Sequence, residues 1–121
     1  MTALQSGYRE TGGLHAAALF ESSGQLLVLR EDVGRHNAVD KVLGWAIQRS
    51  MLPLGRHLLL VSGRLGSEIV LKALAAGIPL ILGLGAATSL ACALAHDANA
   101  TLVGFLRSEQ LLVYCAPERI R

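Results

Sequence analysis

The sequence is short of most groups that announce a function. Two cysteines, Cys92 and Cys115, occur in 121 residues, too few and too far apart for a Cys-x-x-Cys redox pair or a zinc knuckle. Each stands in apolar sequence, so both are expected to be buried small hydrophobes. His15, His36, His57 and His96 are isolated from one another and none has a second His or Cys at ligand spacing, so no metal site is expected. Aromatic residues make up 4% of the chain and the formal net charge is +2. Arginines that are scattered, without aromatics between them, exclude a nucleic-acid-binding stripe. No apolar run reaches the roughly 18 to 20 uninterrupted residues of a membrane span. The start Met1-Thr2-Ala3-Leu4 also lacks a basic, then apolar, then cleavable signal. The expectation is a soluble cytoplasmic protein with neither a nucleic-acid nor a membrane partner.

What is present is apolar sequence in short, bounded runs. At 52% hydrophobic residues, one domain over 1–121 can bury a real core. Runs at His15 to Phe20, Gln25 to Arg30, Leu58 to Ser62, Pro79 to Leu84, Thr101 to Leu106 and Gln110 to Cys115 read as strands. Glu21-Ser22-Ser23-Gly24 and Arg107-Ser108-Glu109 are short enough to close antiparallel hairpins at the two ends. Between them the period becomes helical. Val39, Val42, Leu43, Ala46 and Ile47 mark one helix, with Asn37 as its cap and Asp40 completing a capping-box-like start. A second opens at Ser67-Glu68 and closes at Gly77 before Pro79, and a third runs from Thr88 or Ser89 to Asp97. The alternation predicts an α/β fold, a central sheet with helices on both faces and hairpin strands added at its ends.

Three strand-to-helix loops carry the polar residues, and in open α/β sheets ligands gather beyond the carboxyl ends of strands. The densest lies in Glu31-Asp32-Val33-Gly34-Arg35-His36-Asn37-Ala38-Val39-Asp40-Lys41. A turn there needs only a glycine and a cap, so Asp32, Arg35, His36, Asp40 and Lys41 are candidates for binding, beside the alternative of a salt-bridged first turn. Ser62-Gly63-Arg64-Leu65-Gly66-Ser67-Glu68 suits an oxyanion, and Gly83-Leu84-Gly85-Ala86-Ala87-Thr88-Ser89 offers amides and hydroxyls. Neither is a P-loop or a dinucleotide fingerprint. Together they predict one crevice that takes a phosphorylated ligand bearing a polar base or sugar. Thr11-Gly12-Gly13-Leu14-His15 is a further cluster, with His15 as a hydrogen-bonding or proton-transferring group.

Six segments in order now carry a resemblance. Thr11 to Ala17, Glu31 to Lys41, Ser62-Gly63-Arg64, Thr88-Ser89-Leu90-Ala91, Leu102-Val103-Gly104-Phe105, and Tyr114 with Pro117-Glu118-Arg119-Ile120 resemble the formate dehydrogenase accessory sulfurtransferase family, FdhD. The resemblance implies a three-layer α/β/α, cytidine deaminase-like fold with a central mixed sheet. It makes the chain an FdhD-like C-terminal cofactor-binding domain. It further implies binding of molybdenum bis-(molybdopterin guanine dinucleotide), with GDP as a soluble analogue, sulfur supplied by a cysteine desulfurase, a formate dehydrogenase as client, and a homodimer. The family's cofactor stretch falls on Phe105, Leu106, Arg107, Ser108, Glu109 and Gln110. With them His15, Asp32, Arg35, His36, Asn37, Lys41, Ser62, Gly63, Arg64, Thr88 and Ser89 form the expected cofactor-binding set, and no residue is assigned a catalytic role. Trp45, beside Gly44, suits a self-interface.

Departures bear on mechanism. The family's persulfide-carrying Cys-x-x-Cys lies upstream of the Thr-Gly-Gly-x-His segment, which here begins ten residues from Met1, and neither Cys92 nor Cys115 matches it. The chain is therefore expected to be either the C-terminal part of a sulfurtransferase or a cofactor-binding module without that activity. Ala87 replaces a common proline, and Glu109-Gln110 a glycine-rich turn. Zinc-dependent deamination is excluded, since His15-Ala16-Ala17 lacks the glutamate and no Pro-Cys-x-x-Cys occurs.

Overall fold

A computed structural model describes residues 14–104, and the backbone of 112–115. Strands β1 (His15–Glu21), β2 (Leu26–Asp32), β3 (His57–Val61), β4 (Leu80–Gly83), β5 (Thr101–Gly104) and β6 (Leu112–Cys115) alternate with helices α1 (Arg35–Gln48), α2 (Ser67–Ala75) and α3 (Ser89–Asp97). The strands form one mixed sheet in the order β2-β1-β3-β4-β5-β6. Both expected hairpins are present, β1 antiparallel to β2 and β5 antiparallel to β6. The inner strands β3, β4 and β5 run parallel.

The three described helices do not cover both faces, and strand order explains why. Since β1 is antiparallel to both neighbours, β2 runs parallel to β3 with β1 inserted between them. The connections through α1, α2 and α3 therefore all advance across the sheet in the same direction. Right-handed crossovers that never reverse direction place every helix on the same face. The packing agrees: Ala17, Leu19, Val28, Leu59, Val61, Ile81 and Leu102 from that face share a cluster with Val39 and Val42 of α1, Ile69 and Ala73 of α2, and Ala91 and Ala95 of α3. The alternate residues Ala16, Ala18 and Leu60, with Phe20, Leu29 and Leu82, form a separate cluster on the other face. The second helical layer implied by an α/β/α sandwich is thus not supplied by the described helices.

Helix boundaries depart from expectation at one end. Helix α1 starts at Arg35 with Gly34 at its N-cap, so Asn37 is a first-turn residue and not the cap. The cause is Asp32, whose Oδ1 accepts the Gly34 N–H at 3.0 Å and the Asn37 side-chain N–H at 3.3 Å. This turn ends β2 and admits the helix early. Asp40 completes no capping box; it pairs with Lys72 of α2 at 2.9 Å. Ile47, assigned to the buried stripe, is 58% exposed. Helix α2 closes as expected, with Gly77 at φ +84°, where a Cβ would lie 2.8 Å from the Pro53 Cβ. Thr88 caps α3, its Oγ1 accepting the Ala91 N–H at 3.1 Å.

Candidate functional site at the carboxyl end of the sheet

The carboxyl ends of β2, β3, β4 and β5 lie at one end of the sheet, where the antiparallel β1 also begins. His15 is the register partner of Asp32. Between β1 and β3 the ladder is extended by Ser62, whose N–H donates to the Ala16 carbonyl at 2.9 Å and whose Oγ accepts the Ala16 N–H at 2.8 Å. This double tie holds Gly63 against two other elements: a Cβ there would meet Arg35 Cδ and His15 Nδ1, each at 3.2 Å. Gly63 therefore lies against both His15 and Arg35, which are distant from it in sequence, and a side chain there would have to push one of them aside.

The next loop joins in the same way. Leu65 donates its N–H to Ala86 at 2.9 Å and accepts that of Thr88 at 3.0 Å, making an isolated parallel bridge with Ala87. A Cβ on Gly85 would lie 3.3 Å from the Arg64 Cγ and amide N. The three loops that the sequence singled out form one continuous rim.

Within the rim the polar residues divide. Asp32 Oδ2 pairs with Lys41 Nζ at 2.9 Å, and that ammonium also donates to the Glu31 carbonyl at 2.9 Å. The Gly34 N–H above all, then Lys41 and Asn37, hold the Asp32 carboxyl down to about 2 from its ordinary 3.8. Asp32 is thus ionised throughout the physiological range and serves as a fixed acceptor. Asp32, Asn37 and Lys41 satisfy one another and order the loop. Arg35 and Arg64 have no carboxylate partner among the described residues; Arg64 is exposed, and the Arg35 Nε is buried and without a partner there. His36 lies half-buried in the first turn of α1, and Ser89 opens α3 at the surface. Phe105 to Gln110 lie outside the described residues.

Sequence reasoning passed over Glu31. Its Oε2 is buried and lacks a hydrogen-bond partner among the described residues. The signal was the alternation of β2: Glu31 shares a face with Leu29, opposite Ala16, where a strand of period two places an apolar side chain.

All three helices begin at this rim. Gly34 and Gly66, the N-caps of α1 and α2, carry no capping side chain; the Asp32 carboxylate takes the Gly34 N–H and Glu68 stands in the first turn of α2, while the remaining first-turn amides face the loops beside Arg35 and Arg64. Helix N-termini with neighbouring guanidiniums attract oxyanions. Open clefts of about 410 Å³ and about 270 Å³ occur at the opposite end of the sheet, sharing Ser22, Arg56 and His57. There the helices end, and their partial negative charge disfavours anions.

Other expectations can be placed. Cys92 is half-buried on α3 and packs against the main cluster; Cys115 ends β6. No group of three or more His, Cys, Asp or Glu able to hold a metal occurs among the described residues, and none of their helices is long and apolar enough to cross a membrane. The Trp45 ring is covered by its own chain, the Arg49 guanidinium sitting 4.3 Å over it.

Comparison with known proteins points the same way. The family model described as the FdhD/NarQ family matches residues 1–121. The chain is 57% identical over 116 residues to a protein of Sulfolobus acidocaldarius named sulfur carrier protein FdhD, covering 96% of this chain and 46% of that one. It is 53% identical over 116 residues to the protein of that name from Mycobacterium bovis, covering 96% and 42%. A crystal structure of a formate dehydrogenase accessory protein from Desulfotalea psychrophila is similar at TM-score 0.85 and 43% identity, over 94% of this chain and 48% of that one. The chain spans about half the length of these relatives.

Proposed function

Because the chain belongs to the FdhD/NarQ family, we propose that it is the cofactor-binding part of a sulfur carrier that serves a formate dehydrogenase. Its cargo is molybdenum bis-(molybdopterin guanine dinucleotide), held at the carboxyl-end rim while sulfur drawn from a cysteine desulfurase is passed to the metal. The observation that carries this reading is the convergence of two helix N-termini without side-chain caps with Arg35 and Arg64, a phosphate-binding arrangement. From the β2 end to the β5 end the rim crosses four strand spacings, about 19 Å, room for an extended dinucleotide.

In this reading Arg35, Arg64 and the first-turn amides of α1 and α2 take phosphates. His15, His36, Ser62, Gly63, Thr88 and Ser89 line the rest of the rim, and Phe105, Leu106, Arg107, Ser108, Glu109 and Gln110, the stretch that the family resemblance marks, complete the cofactor-binding set. Asp32, Asn37 and Lys41 keep the first loop in shape. The protein works in the cytoplasm as a homodimer. The persulfide is not assigned to Cys92, a half-buried residue outside any Cys-x-x-Cys; that observation favours, for these 121 residues alone, a binding module that presents cargo without carrying sulfur.

Calorimetric titration with GDP tests the site. Saturable micromolar binding is expected. Removing a charge-assisted contact by Arg35→Ala or Arg107→Ala should weaken it by about 10- to 100-fold, and raised salt should weaken it further. Absence of heat with GDP in folded protein would refute cofactor binding by this chain.

A further inference from the structure

The two adjacent acids that end β2 have opposite circumstances. Both oxygens of Asp32 are occupied, by Gly34, Asn37 and Lys41. The neighbouring Glu31 has a buried carboxylate oxygen that no described group satisfies. A buried acceptor left unpaired is costly, so such a group in a native structure calls for a partner or a role, and a donor arriving with a ligand would supply one. Its position suits a nucleotide. Glu31, Ala16 and Ser62 are successive neighbours across β2, β1 and β3, so Glu31 lies two strand spacings, about 10 Å, from the residue that opens the Ser62-Gly63-Arg64 loop. A nucleoside diphosphate spans such a distance between its base edge and its terminal phosphate.

We propose that Glu31 is the residue that selects guanine at this site, an inference that rests on the nucleotide-binding reading above. Guanine presents its N1–H and its 2-amino group side by side, two parallel donors for the two oxygens of one carboxylate. Adenine offers an acceptor and a C–H on that edge, and hypoxanthine keeps the N1–H but lacks the amino group. A site whose buried acceptor is met by only one base rejects the others strongly. Arg35 and Arg64 read phosphate and cannot tell bases apart, so selectivity and affinity belong to different residues.

Titrations with GDP, IDP and ADP, run on the wild-type chain and on Glu31→Gln, test the assignment. The wild type should bind in the order GDP, IDP, ADP, with about tenfold lost at each step. Glu31→Gln, which keeps size but loses one acceptor, should weaken GDP about tenfold, bring the GDP to IDP ratio near one, and leave ADP unchanged. Equal wild-type affinity for GDP and ADP would overturn the inference without recourse to the variant, leaving phosphate binding intact. A folded Glu31→Gln that retains the wild-type GDP to IDP ratio would also overturn it. Failure of all three nucleotides to bind the wild type would remove the nucleotide-binding reading and this inference with it.

Discussion

Gly83, the last residue of β4, is a position where one added methyl group should do clear harm. A Cβ there would lie 2.7 Å from Leu65 Cγ and 2.9 Å from its Cδ1, well inside van der Waals contact. Leu65 cannot retreat easily. It is fully buried, and its backbone is held on both sides by the bonds to Ala86 and Thr88, 2.9 and 3.0 Å long. Overpacking a fixed site costs about 1 to 3 kcal/mol, so Gly83→Ala should lower the melting temperature by about 4 to 12 °C for a chain of this size. Urea denaturation of wild type, Gly83→Ala, Leu65→Ala and the double variant would locate the cause. Leu65→Ala alone should cost about 2 to 5 kcal/mol by leaving a cavity. On that background the methyl at position 83 has space, and its cost should fall close to zero. A Gly83→Ala that loses less than about 0.5 kcal/mol, or one whose loss is the same in both backgrounds, would refute the clash with Leu65 as the reason for the glycine.

Three further outcomes are expected elsewhere in the fold. The Asp32 carboxyl sits at about 2 when folded against an ordinary 3.8, so its contribution to stability is complete above the ordinary value and disappears as pH falls from about 4 toward 2. Wild type and Asp32→Asn should therefore differ by a constant amount near neutrality and converge in that window, as read by denaturation at stepped pH. Thr88→Ala removes the hydroxyl that caps α3 and should cost about 1 kcal/mol, measured by urea denaturation. At Gly44, inside α1, a Cβ would meet nothing within 4 Å. Gly44→Ala should accordingly raise stability by about 0.5 to 1 kcal/mol in the same assay.

Local features of the fold were readable, and non-local ones were not. Short apolar runs bounded by turn residues marked every described strand to within two residues at each end, because burial in a sheet requires that pattern. The hairpin between β1 and β2 was likewise readable from Glu21 to Gly24. Nothing in the sequence, however, states that β1 pairs with β3 as well as β2. That insertion makes the connections advance in one direction and gathers α1, α2 and α3 on one face. The start of α1 was misplaced for a nearer reason. Asn37 has the chemistry of a cap, but Asp32 reaches its side chain first and the helix begins three residues earlier, with Gly34 as its cap.

The site shows the same division more sharply. A dense charged motif has two physical uses, since its members can neutralise one another or remain available to a ligand, and composition cannot separate them. Here Asp32, Asn37 and Lys41 close upon themselves, and Asp40 is taken by Lys72 of another helix. What is left over is therefore more informative than what was dense. Arg35 has a buried Nε unpartnered among the described residues, and Gly63 is carried against it and His15 only by the pairing of β1 with β3. Glu31 looked like ordinary strand-end charge until the alternation of β2 placed it among apolar neighbours. Groups of opposite sign, left unsatisfied among the described residues on either side of a self-neutralised clasp, are what a ligand with an anionic end and a donor-bearing base would need.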